Sequence, residues 1–300
     1  MSRALVTTLV RIRPPRGRGS LAGVRLATWN VNSIRSRVDR VVDWLPRAGV
    51  DVLALQETKC RETQFPFLPF EAAGYEVVHH GLNQWNGVAI ASRVGISDVE
   101  VGFPGMPTWG EPAAAEARAI GATCGGVRVW SLYVPNGRTL ADPHLAYKIA
   151  WLGRLREAGL EWLEKDPEAA IALVGDWNVA PFDEDVWDMA KFADSTHVSP
   201  AERAAFHSVV EAGFTDVVRP HAPGPGVYTY WDYTQLRFPR REGMRIDFVL
   251  ASPALAARVT GAAIDREERK GKGASDHAPV VVEIGANGVA ASSGGMVVQR

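Results

Sequence analysis

The chain has 300 residues, of which 46% are hydrophobic, 22% charged and 9% aromatic, a composition that excludes collagenous, membrane-embedded and wholly disordered proteins. Its 33 basic and 34 acidic residues give a net charge of -1, so the net charge alone does not indicate a polyanionic partner such as nucleic acid. Two cysteines, Cys60 and Cys124, and no apolar run of about 18 residues predict free thiols, a cytoplasmic location and no membrane contact.

The two ends of the chain differ from its body. Residues 1–23 contain five arginines and no acid, without apolar periodicity, and we predict a disordered basic leader there. Because ALVTTLV is short and polar for a signal core, a start site assigned too far upstream is an alternative interpretation. Residues 286–300 predict a flexible tail, which leaves residues 24–285 as a single folded domain.

Between the ends, apolar strand-like runs recur along the chain. They lie at residues 24–29, 51–56, 87–92, 127–134, 170–175, 245–251 and 279–284. Helical periodicity appears over residues 36–48 and again at about residues 143–164. Many strands with few, well-separated helices predict two mixed sheets packed face to face with helices outside them, rather than a doubly wound parallel sheet.

Acids and amides fall at the ends of these runs. Asn30 and Asn32 follow the first run, Glu57 the second, and Asp176 and Asn178 the fifth, while Asp247 lies within the sixth and Asp276 and His277 precede the last. A carboxylate in an apolar strand is costly to bury unless it pairs with a cation, a metal or a protonated histidine. Each residue alone is also compatible with a turn or a surface acid, but together they indicate one site.

Phosphodiester hydrolysis is the chemistry that such residues suit. Hard oxygen ligands hold one or two Mg²⁺ ions, which neutralise phosphate and the charge that develops during attack. The histidines show no HxxxH spacing and no cysteine pair lies close in sequence, so a zinc site is disfavoured. No GxxxxGK[ST] loop occurs, which disfavours nucleotide hydrolysis of that type.

Eight segments carry a resemblance to a known family. In chain order they are LATWNVNSIRSR, DVLALQETKC, WNGVAIAS, LYVPNGR, LVGDWNVAP, YTYWDYT, MRIDFVLAS and SDHAPV, and they resemble the exonuclease III family of apurinic/apyrimidinic (AP) endonucleases, within the endonuclease/exonuclease/phosphatase superfamily. The resemblance covers about residues 24–285 and implies that this range is a catalytic domain with a DNase I-like, four-layer α/β sandwich. It also implies a hydrolase that uses Mg²⁺, with Mn²⁺ as a substitute, and that incises duplex DNA 5′ to abasic sites and acts as a 3′–5′ exonuclease or 3′ end-cleaning enzyme.

The resemblance also implies roles for individual residues. The metal would be held by Glu57 as principal ligand, with Asn30, Asp276, Asp176 and Asn178 near it, and the catalytic residues would be Tyr133, Asp176, Asn178, Asp247 and His277. The base that activates water is either Asp176 or the Asp247–His277 pair, and the two alternatives remain open at this point.

DNA contacts are implied for a further set. The residues are Asn32, Arg118, Asn136, Arg138, Tyr230, Trp231, Met244, Arg245 and Ile246, of which Tyr230, Trp231, Met244 and Ile246 would form a pocket for a base-free sugar. Core packing is an alternative for Trp231 and Ile246, as is a solvated surface for the arginines. The partner is then double-stranded DNA with abasic sites or blocked 3′ ends, bound by a monomer without an obligate protein partner that associates with the nucleoid.

Two other functions are compatible with parts of the pattern. Relatives on the same scaffold hydrolyse inositol phosphates, sphingomyelin or messenger RNA tails, although YVPNG, YTYWDY and MRIDFVLA favour the DNA-repair branch. A DNA-binding module without catalysis would be expected to lack one of Glu57, Asp176, Asp247 and His277, and all four are present.

Overall fold

Two six-stranded β-sheets lie face to face in the computed structural model, which describes residues 23–286. The strands are β1 (Val24–Asn30), β2 (Val52–Gln56), β3 (Glu76–His80), β4 (Val88–Ser92), β5 (Ser97–Val101), β6 (Ala119–Cys124), β7 (Val127–Tyr133), β8 (Ile171–Asp176), β9 (Thr215–Asp216), β10 (Asp247–Ala251), β11 (Val259–Ile264) and β12 (Val280–Ile284). The helices are α1 (Val38–Ala48), α2 (Phe67–Ala72), α3 (Pro143–Lys165), α4 (Pro200–Glu211), α5 (Arg237–Arg240) and α6 (Pro253–Ala256). The predicted leader and tail lie outside the described residues, apart from Gly23 and Ala286.

Both sheets are mixed and share one plan. The first has the strand order β11-β12-β1-β2-β4-β3 and the second β5-β6-β7-β8-β10-β9. In the described part of the chain, β1–β2 and β7–β8 are the parallel pairs, and the other neighbours are antiparallel. A helix joins the strands of each parallel pair, α1 in the first sheet and α3 in the second, because parallel neighbours need a long crossover.

Helices cover the outer face of each sheet. A core of mostly aliphatic side chains, among them Leu26 and Val174, fills the space between the sheets. Trp44 of α1 packs on the outside of the first sheet, and Trp151 of α3 packs on the outside of the second. The predicted four-layer sandwich of two mixed sheets with flanking helices is therefore confirmed. Within residues 23–286, no helix is long and apolar enough to cross a bilayer.

Local sequence explains where helix α3 begins and why strand β6 was not predicted from the apolar pattern. Helix α3 begins at Pro143, whose preceding residue Asp142 caps the helix by accepting from the backbone N–H of His144 at 2.8 Å. Strand β6 gave no strand signal because it is rich in small residues. Its Gly121 faces Trp130 of β7, where a Cβ would lie 2.8 Å from the indole ring.

Candidate active site

The polar strand ends come together at one edge of the sandwich. Asn30 ends β1 and Glu57 follows β2, while Tyr133 and Asp176 end β7 and β8. Parallel neighbours bring their carboxyl ends to the same edge of a sheet, and the two sheets present these edges to each other. Asp247 begins β10 and lies opposite Asp176 in the antiparallel ladder, so it reaches the same edge.

Asn30 links the two sheets at this edge. Its buried amide group donates to Glu57 Oε1 at 2.8 Å and to Asp176 Oδ2 at 2.9 Å, while its Oδ1 accepts from the backbone N–H of Asn32 at 3.0 Å. One side chain therefore fixes the distance between two carboxylates that are more than a hundred residues apart in sequence.

Glu57 lies beside a cation on the first-sheet side. Lys59 Nζ is 2.6 Å from Glu57 Oε2 and donates to Asn32 Oδ1 at 2.5 Å. Asn32 in turn donates from Nδ2 to Asp276 Oδ1 at 3.1 Å. Burial opposes ionisation of Glu57, but the charge of Lys59 and the hydrogen bonds from Asn30 and Lys59 lower its pKa below the ordinary value. Glu57 is thus a fixed anion.

Asp176 and Asp247 flank His277 on the second-sheet side. The His277 ring places Nδ1 2.8 Å from Asp247 Oδ2 and Nε2 3.7 Å from Asp176 Oδ2, and all three side chains are buried. Within the described residues, Asp247 Oδ1 has no hydrogen-bond partner, although the backbone N–H of Asp247 donates to Thr229 Oγ1 at 3.1 Å.

The charges of this trio perturb its proton affinities in a consistent way. Burial, together with the negative charges of Asp247 and Glu57, raises the pKa of Asp176 to about 7, against the opposing influence of His277. Burial alone would lower the pKa of His277, but the facing carboxylates of Asp247 and Asp176 raise it to about 10. His277 is therefore an imidazolium at neutral pH, and Asp176 is the group that can exchange a proton there.

Tyr133 lies between the two carboxylates, at the end of β7. Burial and the negative charge of Glu57 raise its pKa well above the ordinary value, so its hydroxyl keeps its proton. Arg118 stands over the Tyr133 ring, with its guanidinium carbon 5.0 Å from the ring centroid. Arg118 is itself buried and paired with Glu116 at 2.6 Å, which holds it in place against Tyr133.

Asn178 is held by the loops around it. Its Nδ2 donates to the Val134 carbonyl at 2.9 Å, and its Oδ1 accepts from Asn136 Nδ2 at 3.1 Å and lies 3.1 Å from His197 Nε2. Both ends of the Asn178 amide are thus held by neighbouring loops. Its backbone N–H also donates to Asp176 Oδ1 at 2.9 Å, which fits a role in positioning Asp176.

Two residues of this site were missed by sequence reasoning. Lys59 lies within the quoted QETK motif, where its two-residue spacing from Glu57 was the available signal. His197 lies in the segment before α4, has a positive φ of 78° and comes within 3.3 Å of Asn136 Nδ2. No sequence motif connected His197 to the site.

The donor set fits a divalent metal. Glu57, Asp176 and His277 each offer a ligand atom, and these atoms lie within 4.8 Å of one another. Protonated His277 has no lone pair to give, so the usable donors are carboxylate oxygens, with Asp276 beside them through Asn32. Asn30 turns its amide nitrogen toward Glu57, so its predicted role as a ligand would require the amide group to turn over.

The residues predicted to form a sugar pocket separate into two groups. Tyr230 and Met244 line a cleft of about 150 Å³ together with Trp187 and Phe192. The Tyr230 ring also lies 4.9 Å from the His277 ring, so this cleft adjoins the trio of Asp176, Asp247 and His277. Trp231 and Ile246 are buried in neighbouring clusters and do not line the cleft.

The predicted DNA-contacting arginines are also divided by their surroundings. The Arg245 side chain is 1% exposed, and it bonds Asp185 at 2.7 Å and Asp216 at 2.6 Å. This buried guanidinium is paired with two carboxylates, so the structure gives no support to the predicted DNA contact of Arg245. Arg138 keeps 57% of its side chain exposed, and exposed Asn136 precedes it in the same loop.

Comparisons with known proteins agree with this architecture. Residues 27–277 match the sequence model of the Endonuclease/Exonuclease/phosphatase family. A 3′ phosphatase from Neisseria, solved with a product DNA hairpin, is 36% identical and superposes with a TM-score of 0.82 over 87% of this chain and 99% of its own. An AP endonuclease from Archaeoglobus fulgidus is 36% identical, with a TM-score of 0.81 and the same coverage. An exodeoxyribonuclease from Bacillus subtilis is 30% identical over 86% of this chain and 98% of its own length.

The sandwich with a carboxylate–histidine edge is the architecture of metal-dependent phosphodiesterases. The chain belongs to the Endonuclease/Exonuclease/phosphatase family. The resemblance to exonuclease III-type enzymes that its motifs carry is confirmed by these relatives.

Proposed function

We propose that this protein is a DNA-repair hydrolase of the exonuclease III type. It incises duplex DNA 5′ to abasic sites and removes nucleotides or blocking groups from 3′ ends, using Mg²⁺ as its metal, for which Mn²⁺ can substitute. Relatives named as an exodeoxyribonuclease, an AP endonuclease and a 3′ phosphatase support both activities. We further infer that it acts as a monomer, at the nucleoid where its substrate lies.

The observation that carries the proposal is the pair of carboxylates held by Asn30. Glu57 stays ionised beside Lys59, while Asp176 has a pKa of about 7 beside protonated His277. An anion that can hold a metal, a group able to take a proton and a cation that can bind phosphate suit metal-assisted hydrolysis of a phosphodiester.

These side chains divide the work of hydrolysis. Asp176 accepts the proton of the attacking water, because His277 is already protonated and cannot do so. His277 donates from Nε2 to a nonbridging phosphate oxygen, and Asp247 holds the ring in place through Nδ1. Tyr133 keeps its hydroxyl proton at neutral pH and is placed to donate to the phosphate or the leaving oxygen.

The carboxylates of Glu57 and Asp276, with Asp176 beside them, would hold the divalent metal. When bound there, the ion neutralises phosphate charge and stabilises the charge that develops on its oxygens. Lys59 balances the negative charge of Glu57 and, through Asn32, connects it to Asp276.

Substrate choice would arise at the cleft beside Tyr230 and Met244. Its volume of about 150 Å³ and its aromatic and thioether walls suit a deoxyribose without a base, because a base-free sugar exposes an apolar face. Asn136 and Arg138 are exposed in the loop that bonds Asn178, where they can contact backbone phosphates.

The direct test compares three substrates in the presence of Mg²⁺. We expect cleavage of a duplex with a single abasic analogue and release from a duplex with a 3′-phosphate end, and no release of phosphate from a soluble inositol polyphosphate. Cleavage of the inositol polyphosphate alone would move the protein to another branch of its family. Chelation of the metal should abolish both DNA reactions.

A further inference from the structure

A second cleft, larger than the one beside Tyr230, contains two tryptophans in its walls. It has a volume of about 580 Å³ and is lined by Trp85 and Trp109, with Asn136 and Arg138 also on its surface. Volumes in this range hold small organic groups. Neither tryptophan has a role in the chemistry described above.

Trp85 presents its indole to solvent on a loop that is held in shape. The residue is 64% exposed, and large exposed aromatic groups often mark binding surfaces. Its backbone N–H donates to Asn83 Oδ1 at 2.8 Å, and Asn86 Nδ2 donates to Glu116 Oε1 at 3.0 Å. Because the loop is already ordered, a ligand that stacks on Trp85 loses little of its binding free energy to ordering the chain.

Trp109 is fixed from behind by aromatic packing. Its ring stacks on Tyr147 with centroids 5.1 Å apart and an interplanar angle of 28°, and it meets His144 edge-on at 5.0 Å. The guanidinium carbon of Arg138 lies 5.9 Å from the Trp109 ring centroid. The ion pair between Arg138 Nη1 and Asp142 Oδ2 is long, at 3.7 Å. The cleft thus combines π-faces with an exposed cation.

The cleft is also bonded directly to the candidate active site. The backbone N–H of Thr58 donates to the Gly87 carbonyl at 3.1 Å, and that of Lys59 donates to the Asn86 carbonyl at 2.9 Å. The Trp85 loop is therefore tied to the chain that follows Glu57. On another wall, Asn136 donates to Asn178, which in turn bonds Asp176.

Aromatic faces beside a cation, next to a phosphodiester-cleaving site, suit a nucleotide whose base is free to stack. We propose that the Trp85–Trp109 cleft is a stacking subsite for an unpaired nucleobase of the DNA substrate, close to the cleaved phosphodiester. Paired bases inside a duplex have both faces covered, so the cleft favours DNA with a frayed end, an overhang or an extruded base. This inference rests on the proposed function and specifies its substrate.

The test uses fluorescent DNA and two matched substitutions at Trp85. Duplexes carry 2-aminopurine at successive positions around the scissile linkage, either paired or in a short overhang, and binding is measured without added metal so that the DNA stays intact. Trp85→Phe keeps a stacking face, whereas Trp85→Leu keeps an apolar side chain without one. Leu68→Ala, at a residue of α2 that is 75% exposed, controls for loss of surface apolar area.

We expect quenching of unpaired 2-aminopurine at one or two positions in the wild type and in Trp85→Phe, and much less in Trp85→Leu. Affinity for the overhang DNA should fall about 5- to 150-fold in Trp85→Leu, the range found for loss of base stacking, while affinity for the fully paired DNA stays unchanged. Thermal unfolding should match that of Leu68→Ala, because the indole is mostly exposed.

Two results would overturn the inference and leave the proposed function standing. One is quenching and affinity in Trp85→Leu equal to the wild type, and the other is an equal loss for paired and unpaired DNA. Failure of the wild-type protein to bind any of the duplexes would instead contradict the proposed function itself.

Discussion

The two sheets each supply one carboxylate to the active edge, from equivalent places in the same strand plan. Glu57 follows the second strand of one parallel pair, and Asp176 ends the second strand of the other. Their neighbours differ: Lys59 lowers the pKa of Glu57, whereas burial and two other carboxylates raise the pKa of Asp176 to about 7. Topology therefore places the groups, while the residues around each one determine what it can do.

The lysines that support the two sides differ in the same way. Lys59 touches the carboxylate itself and remains partly exposed. Lys148, from α3, is completely buried, and donates to Glu202 at 2.5 Å, to the Asn178 carbonyl at 2.5 Å and to the Asn136 carbonyl at 3.2 Å. One lysine tunes a charge, and the other holds together the loops that carry the second carboxylate.

The largest expected effect comes from removing the charge of Asp176, the carboxylate of the second sheet. Asp176→Asn should lower kcat by about 10²- to 10⁴-fold, the usual contribution of a general base, with little change in DNA affinity. Steady-state incision of an abasic duplex and equilibrium DNA binding measure the two quantities. Asp183→Asn is the matched control, because Asp183 lies seven residues further along with 74% of its side chain exposed. A parallel loss of binding and turnover in Asp176→Asn would contradict the assigned role.

The buried lysine predicts a large effect on stability. Lys148→Met leaves the Glu202 carboxylate buried without its cation and should lower the free energy of unfolding by about 3–5 kcal/mol, measured by urea denaturation. The double variant Lys148→Met with Glu202→Gln removes the unpaired charge and should recover more than half of the loss. A single variant within about 1 kcal/mol of the wild type would show that the pair does not hold these loops.

Replacement of Glu57, the carboxylate of the first sheet, should change how much metal the reaction requires. We expect Glu57→Gln to require about 10- to 100-fold more Mg²⁺ for half-maximal incision, because the variant loses an anionic ligand but keeps its size. Thermal stabilisation by added Mg²⁺ gives a second measurement that does not depend on turnover. Glu62→Gln, which alters a carboxylate paired with His79, is the control and should leave the metal requirement unchanged. An unaltered requirement in Glu57→Gln would exclude Glu57 as principal ligand.

Sequence alone was informative about strand ends and uninformative about loops. Glu57 and Asp176 could be predicted to belong to one site because each directly follows an apolar run, and Asp247 because a carboxylate inside an apolar run needs a partner. His197 could not, since nothing in its own segment shows that the chain before α4 folds back to Asn178. Arg245 was assigned to DNA because the positions of its acidic partners, far away in sequence, are set only by the tertiary fold.

The smallest expected effect concerns the loop after β7, which is bonded to the neutral side chain of His144. His144 is buried, accepts from the Gly137 N–H at 3.1 Å through Nδ1, and has its pKa lowered to about 4 by burial and by the charges of Arg118 and Arg138. Below about pH 6.5, the pKa of histidine in an unfolded chain, His144 is protonated in the unfolded state but stays neutral in the folded protein. The free energy of unfolding therefore decreases as the pH falls from about 6.5 toward about 4.

Between pH 6.5 and 5.5, this linkage should destabilise the wild type by about 1 kcal/mol relative to His144→Gln, whose side-chain carbonyl can still accept from Gly137. Urea denaturation at the two pH values measures the difference. His221→Gln removes an exposed histidine and should keep the pH dependence of the wild type. If His144→Gln loses as much stability as the wild type over this range, the pH dependence does not arise from a His144 side chain that stays neutral in the folded protein. The neutral imidazole would then not be needed to hold the Asn136–Arg138 loop beside the site.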